Sequence, residues 1–328
     1  MAVLVTGGAG YIGSVAVVHL LTAGQTVVVL DNLSTGHCGA LSEGAVFVEG
    51  DIRDKQRVAR VLVDHAIDTV MHFAAQSIVS ESCRDPGKYF DNNVVGAHTV
   101  LQAMAEAGVR AFILSSTAAV YGHPEAIPIT EDMPTRPLNP YGLSKRMVEQ
   151  MLEWYDRVHG IRYVSLRYFN AAGASGRFGE AHDPETHLIP NILMAVEGKR
   201  PSVTVFGTDY DTPDGTCIRD YVHVVDLADA HLKAMAWLTA GDASGIFNLG
   251  NATGNSVREV LEAVRRVTGQ GFRIEYGERR AGDADRLVAS SQRAQDVLGW
   301  CPRHGDIDAI VRDAWRWRQA HPHAYNPA

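Results

Sequence analysis

Short apolar runs recur through the first half of the chain, each closed by a polar or glycine-rich turn and followed by a stretch with helical spacing. The runs at 2–6, 26–31, 45–49, 68–74, 109–116 and 161–168 predict strands, and stretches between them, including 86–107 and 140–158, predict helices. In the first helix Ile12, Val15, Ala16 and Leu20 share one face. Strands alternating with helices predict an α/β fold, a doubly wound sheet of parallel strands. After Gly173 the pattern becomes irregular, with frequent glycine and proline to about residue 216. A helix near Ser256–Thr268, opened by Ser256, and an amphipathic one near Ile307–Gln319 follow. This predicts a first domain over 1–173 and a smaller C-terminal α+β lobe over 174–328. That lobe would cover the carboxyl ends of the strands, where open α/β sheets bind ligands.

The first turn narrows the fold to the Rossmann type. Ala2–Thr6 runs straight into Gly7-Gly-Ala-Gly10-Tyr-Ile-Gly13, a G-x-x-G-x-x-G spacing between strand and helix. Glycines there let backbone N–H groups approach a pyrophosphate at a helix N-terminus. The second strand ends in Asp31, eighteen residues after Gly13. An acid at that place accepts from a ribose 2′-hydroxyl and repels a 2′-phosphate, which selects NAD over NADP. Asp51-Ile52, after the third strand, is a candidate for holding adenine.

Tyr141-Gly-Leu-Ser-Lys145 places a phenol and an ammonium four residues apart, on one helix face. Asn139 reads as the N-cap and Pro140 as the first helical residue, so Tyr141 falls in the first turn. The helix N-terminus and the lysine charge would both favour phenolate, giving a usable base near neutral pH. Leu114-Ser-Ser-Thr117 ends an apolar strand, so its hydroxyls are expected in the same cleft.

Composition removes other classes. The 328 residues carry a net charge of −8 with scattered basic groups, which argues against nucleic acid or an anionic membrane. The chain enters its first strand at once, leaving no room for a signal peptide, and no apolar run reaches membrane-spanning length. Cys38, Cys83, Cys217 and Cys301 follow no ligand spacing and read as free thiols in a cytoplasmic protein. The fourteen histidines contain no HExxH, His321-Pro-His323 reads as a solvated tail, and no metal is expected.

From Ala2 to about Trp300 the chain resembles the extended short-chain dehydrogenases/reductases, and among them the UDP-glucose 4-epimerase family. The resemblance rests on Gly7–Gly13, Asp31-Asn32, Asp51-Ile52, His72-Phe-Ala-Ala75, Asp91-Asn-Asn93, the segment from Leu114 to Gly122 and Tyr141–Lys145. More specific are Arg167-Tyr-Phe-Asn-Ala-Ala-Gly173, the segment from Val205 to Thr216 and Arg219-Asp-Tyr-Val-His223. It implies an NAD-dependent isomerase and a homodimer built through the helices at 86–107 and 140–158. The chain would also recross, returning 222–249 to the first domain. It assigns catalysis to Thr117, Tyr141 and Lys145. The cofactor would be held by Gly7, Gly10, Tyr11, Ile12, Gly13, Asp31, Asn32, Asp51, Ile52, Phe73, Ala74, Ala75, Asn92, Ser115, Tyr141, Lys145 and Tyr168, with Asn92 supporting the lysine. A UDP-sugar would meet Thr117, Tyr141, Asn170, His187, Arg219, Arg280 and Asp283. The chain departs from its relatives at His187, at Gln76-Ser77 where a phosphate-side lysine is common, and at Leu287 where some carry tyrosine. A smaller residue there would admit an N-acetyl group, so UDP-GlcNAc is a second expected substrate. A 4,6-dehydratase needs an Asp-Glu pair after the threonine, where this chain has Ala118-Ala119. A uronate or pentose 4-epimerase, or an NAD-retaining sensor without catalysis, fits the residues less well.

Overall fold

The computed structural model describes residues 1–280 and 283–325. Seven strands form one sheet: β1 (Ala2–Thr6), β2 (Thr26–Asp31), β3 (Val46–Glu49), β4 (Thr69–His72), β5 (Ala111–Thr117), β6 (Arg162–Tyr168) and β7 (Gly245–Leu249). Their spatial order is β7-β6-β5-β4-β1-β2-β3, and every pairing is parallel. This is a Rossmann-type α/β sheet, and its order reverses between β1 and β4, where such sheets open a crevice for ligands.

Alternation along the strands builds a core on each face. Val3 and Val5 pack with Val17, Leu20, Leu227 and Ala234 on one face, whereas Leu4 packs with Val58, Val61, Val100 and Leu101 on the other. The first face is covered by α1 (Tyr11–Thr22) and the late helix Val224–Thr239; the second by α2 (Lys55–Asp64), α3 (Gly96–Ala107) and α4 (Pro140–His159). A further core joins helices Leu188–Val196, Val257–Thr268 and Ile307–Ala320 to strands Val203–Phe206 and Ile274–Gly277. Ser256 caps the second of these helices through a reciprocal capping box with Glu259.

The helix expected over 86–107 is not continuous. A single turn at Pro86–Tyr89 passes into a π-turn at Phe90–Val95 before α3 begins. That wider turn changes which residues face inward, with consequences at the site.

Where α4 meets β5 and β6, Glu149 and Arg167 form a buried ion pair. Arg167 donates through Nε at 2.8 Å and Nη2 at 2.6 Å, and Ser116 and Ser165 donate to the same carboxylate at 2.7 and 3.0 Å. Arg167 also donates to Tyr121 Oη at 2.8 Å, and Tyr121 to Asn248 Oδ1 on β7 at 2.7 Å. Replacing only Arg167 with methionine leaves buried Glu149 with Arg146, at 3.4 Å, as its only ion-pair partner among the described residues, and is expected to cost about 3 kcal/mol in urea unfolding. A double variant with methionine at both positions should recover part of that loss.

Candidate active site

The glycine-rich turn leaves β1 with Gly7 at a φ of +75°, its amide donating to Leu30 O at 2.9 Å. A Cβ on Gly7 would lie 2.5 Å from Ala74 N, and one on Gly13 would lie 2.2 Å from Gly7 O. Both positions exclude a side chain for want of space. Gly10 is the N-cap of α1 and no side chain caps that end, so its first-turn N–H groups point into the crevice. Ile12 stands in the same turn. Tyr11 is buried there, its hydroxyl occupied by donating to Gly173 O at 2.6 Å.

Asp31 is buried at the end of β2. Its carboxylate accepts from Ala9 N at 3.0 Å and Leu33 N at 2.9 Å, which fixes its direction while leaving lone pairs for a hydroxyl. Burial raises its pKa against these two amides. Asn32 donates to Asp51 at 3.0 Å, and Arg53 grips Asp51 at 2.9 and 2.7 Å, holding that carboxyl well below the usual range. Ile52 is buried against Gly96. Phe73, Ala74 and Ala75 leave β4 opposite the glycine turn, with the first two amides donating to Thr6 O. An uncapped helix N-terminus, a cradle with no room for Cβ atoms and an oriented buried acid fit a dinucleotide with an unphosphorylated ribose.

The remaining chemistry gathers at the carboxyl end of β5. Asn139 accepts from Gly142 N at 2.8 Å and Pro140 opens α4, so Tyr141 stands in the first turn as expected. Lys145 is buried one turn on, and its Nζ donates to Ser115 O at 2.8 Å. Thr117 Oγ1 accepts from Ala119 N at 3.1 Å, and Tyr168 Oη hydrogen-bonds Ser115 Oγ. Burial raises the Tyr141 pKa, and a hydrogen bond from Thr117 opposes the rise. Burial also pushes Lys145 down to about 8, partly offset by Glu149. The sequence reading let the helix end and Lys145 set the tyrosine. In the protein alone desolvation outweighs them, and Thr117 is the group opposing it.

Beside Asn92, the neighbouring Asn93 makes a bracing network of its own. Asn92 is half-buried and donates to Asn93 Oδ1 at 3.0 Å. Asn93 is buried, donates to Ser144 Oγ and Gln76 O at 3.0 Å each, and accepts from Gln76 N at 2.8 Å. It therefore ties the residue before Lys145 to the segment leaving β4. The π-turn shifts the inward face, which a regular helical count does not foresee.

Across the cleft, Arg219 donates to Asp283 Oδ1 at 2.5 Å and to Ile218 O at 2.8 Å. The Arg280 guanidinium lies 4.2 Å from the centre of the Phe206 ring. Asn170 begins a short strand paired in parallel with Tyr221–His223. His187 stands at the N-cap position of Leu188–Val196 without a side-chain cap bond, its Nδ1 lying 2.6 Å from Glu180 and 3.0 Å from Glu185. Sequence reasoning also missed Asp220. Fully buried, it accepts from Asn251 N, Ala252 N and Ala289 N and fastens three segments under the cleft.

Lys145 gives a stability signature in the protein without nucleotide. Its folded pKa of about 8 lies below the ordinary 10.5, so the unfolded chain binds the extra proton between those values. Stability therefore rises with pH across that window. A Lys145→Met variant is expected to be more stable by about 1–3 kcal/mol at pH 7, with the difference shrinking from pH 8 to 10.5 in urea titrations.

Residues 3–250 match the NAD-dependent epimerase/dehydratase family. The UDP-glucose 4-epimerase of Halalkalibacterium halodurans is 52% identical, over 99% of this chain and 98% of its own length. A crystal structure of a UDP-glucose 4-epimerase superposes with a TM-score of 0.98 at 49% identity, covering 100% of both chains. The Brucella ovis UDP-glucose 4-epimerase, solved in complex with NAD, gives 0.94 at 45% identity over 96% of this chain and 97% of its own. With the glycine cradle and the Thr117, Tyr141 and Lys145 set in place, the chain belongs to the NAD-dependent epimerase/dehydratase family.

Proposed function

We propose that the protein is a UDP-glucose 4-epimerase, interconverting UDP-galactose and UDP-glucose by inverting C4 of the sugar. The observation that carries this reading is 52% identity over 99% of the chain, with the Thr117–Tyr141–Lys145 set intact. NAD, held by the glycine cradle and Asp31, would supply the reversible hydride chemistry at C4 that the side chains lack.

The side chains handle the proton and the positioning. Tyr141, as phenolate, takes the proton of the sugar 4-hydroxyl as the carbonyl forms at C4. Thr117 orients that oxygen, and the Lys145 ammonium favours the phenolate and binds the nicotinamide ribose. Arg219 and Arg280 hold the diphosphate, and Asp283 accepts from the uridine ribose, so the 4-ketose turns without leaving. Tyr141 then returns its proton to the inverted oxygen. In the free protein Arg219 already pairs with Asp283, which preorganises the nucleotide end. Gly10, Ile12, Asn32, Ser115, Tyr168 and the Asp31 carboxylate complete the cofactor cradle, while Asn170 and His187 are assigned to the sugar side. Ala118-Ala119 supplies neither acid nor base for a dehydratase. Leu287 pairs in register with Arg219 at the same cleft, and its size favours entry of an N-acetyl group as well.

The reading includes a cytoplasmic homodimer. Among the described residues no helix is long and apolar enough to cross a membrane. Leu143, Met147, Trp154 and Val158 lie along one outer face of α4, with Trp154 63% and Val158 67% exposed. Val95, just before α3, adds a fifth exposed apolar group. Such a stripe is what a helical dimer face requires.

Purified protein given UDP-galactose and no NAD is expected to yield UDP-glucose by chromatography; failure even with NAD supplied would sink the assignment. Tyr141→Phe should lower kcat by about 10²–10⁴ with UDP affinity retained. Unchanged turnover in that variant would remove tyrosine from the mechanism. The wild type should be dimeric by light scattering, and a variant with Trp154→Glu and Val158→Glu monomeric.

A further inference from the structure

The loop after Gly173 brings four ligating side chains to one point. Glu180, His182, Glu185 and His187 each offer one ligand atom, all within 4.8 Å of one another. His187 Nδ1 lies 2.6 Å from Glu180 Oε1 and 3.0 Å from Glu185 Oε1, and His182 Nδ1 lies 3.1 Å from Glu180 Oε1. A tetrahedral ion with bonds of about 2.0–2.1 Å holds its ligand atoms about 3.3 Å apart. These pairs are hydrogen-bond contacts somewhat tighter than that, so a small opening of the cluster would seat the ion.

Charge points the same way. The two carboxylates are almost wholly buried, with side-chain exposures of 7% and 4%, yet among the described residues neither pairs with a lysine or arginine. Their side-chain partners are the imidazoles of His182 and His187. Two buried carboxylates at one point are costly without a compensating cation. In the metal-free protein His187, between them, supplies it as imidazolium, and a bound ion would take that proton's place. Glu185 Oε1 is further aimed by the amides of Thr186 and His187, at 2.7 and 2.8 Å. The His187 side chain is 45% exposed, which leaves a route for an ion to enter.

We propose that Glu180, His182, Glu185 and His187 form a site for a divalent first-row transition ion, zinc foremost. Two imidazole nitrogens with two carboxylate oxygens suit that class better than magnesium or calcium, which favour oxygen alone. The site is structural. It fastens the loop leaving Gly173 to the start of Leu188–Val196 through His187 Nδ1, leaving Nε2 of the same ring for the sugar side, and zinc binding is read without turnover. The sequence analysis expects no metal because it finds no HExxH, and E-x-H-x-x-E-x-H lies outside that pattern.

The test is calorimetric titration of tag-free, chelator-stripped holoprotein with zinc, alongside His182→Ala and Glu185→Gln variants of unchanged circular dichroism. Expected are one equivalent bound by the wild type and more than tenfold weaker binding in each variant. Cobalt loading of the wild type should give the intense visible bands of four-coordinate Co²⁺, a readout that needs no variant. Absence of saturable zinc binding and of those bands would overturn the site, as would equal zinc affinity in wild type and both variants.

Discussion

The buried pair between Glu149 and Arg167 fixes the geometry on which the chemistry rests. Glu149 lies one turn past Lys145 on α4, and its carboxylate gathers Ser116 from β5 and Ser165 and Arg167 from β6. Ser116 is the residue before Thr117. One carboxylate thus sets the position of the strand carrying the hydroxyl and of the helix carrying the phenol and ammonium. Arg167 extends the same network through Tyr121 to Asn248, whose Nδ2 donates to Ile129 O at 3.0 Å. Such a pair costs desolvation energy, and it persists here because nearly every lone pair and N–H finds a partner.

Around that anchor, burial is the common electrostatic cause. It raises Tyr141 and Asp31 and lowers Lys145, and each shift penalises the charged form that chemistry or binding uses. The groups opposing burial are few and local: Thr117 at the phenol, two amides at Asp31, and Glu149 near the ammonium. The site is held at the expense of stability, a common arrangement where function needs charges in a dry cleft. Asn93 plays the mechanical counterpart, joining α4 to the segment leaving β4 through backbone and hydroxyl contacts.

The nucleotide side of the cleft relies on a different device. Asp220 collects three amides from segments far apart in sequence, and Arg219 beside it is thereby presented to Asp283. Backbone convergence on one buried carboxylate does here what the ion pair does beneath the catalytic end. Both replace long-range packing with directed hydrogen bonds where ligands leave no room for a filled core.

Much of this was legible from residue order, because it depends on local rules. Short apolar runs and helical spacing gave all six early strands and the helix from Pro140, but not the break at Phe90–Val95. Asn139-Pro140 set the start of α4, and steric exclusion at Gly7 and Gly13 follows from the turn they occupy. The strand Gly245–Leu249 at the sheet edge, by contrast, was suggested by family resemblance and not by pattern. Asn92 came from family resemblance, whereas the network of Asn93 depends on a π-turn, which changes the phase of a helix without changing its composition. Glu149 was not singled out, Arg167 and Asp220 stood in quoted motifs with no role, and His187 was named without Glu180, His182 and Glu185. Their partners lie tens of residues away or in an irregular loop, where no periodicity operates. The sequence by itself determined the elements, the cradle and the catalytic residue types, since those are set by neighbours along the chain. Only the tertiary structure decided which buried charges meet and what burial does to them, since those depend on distances the chain order does not encode.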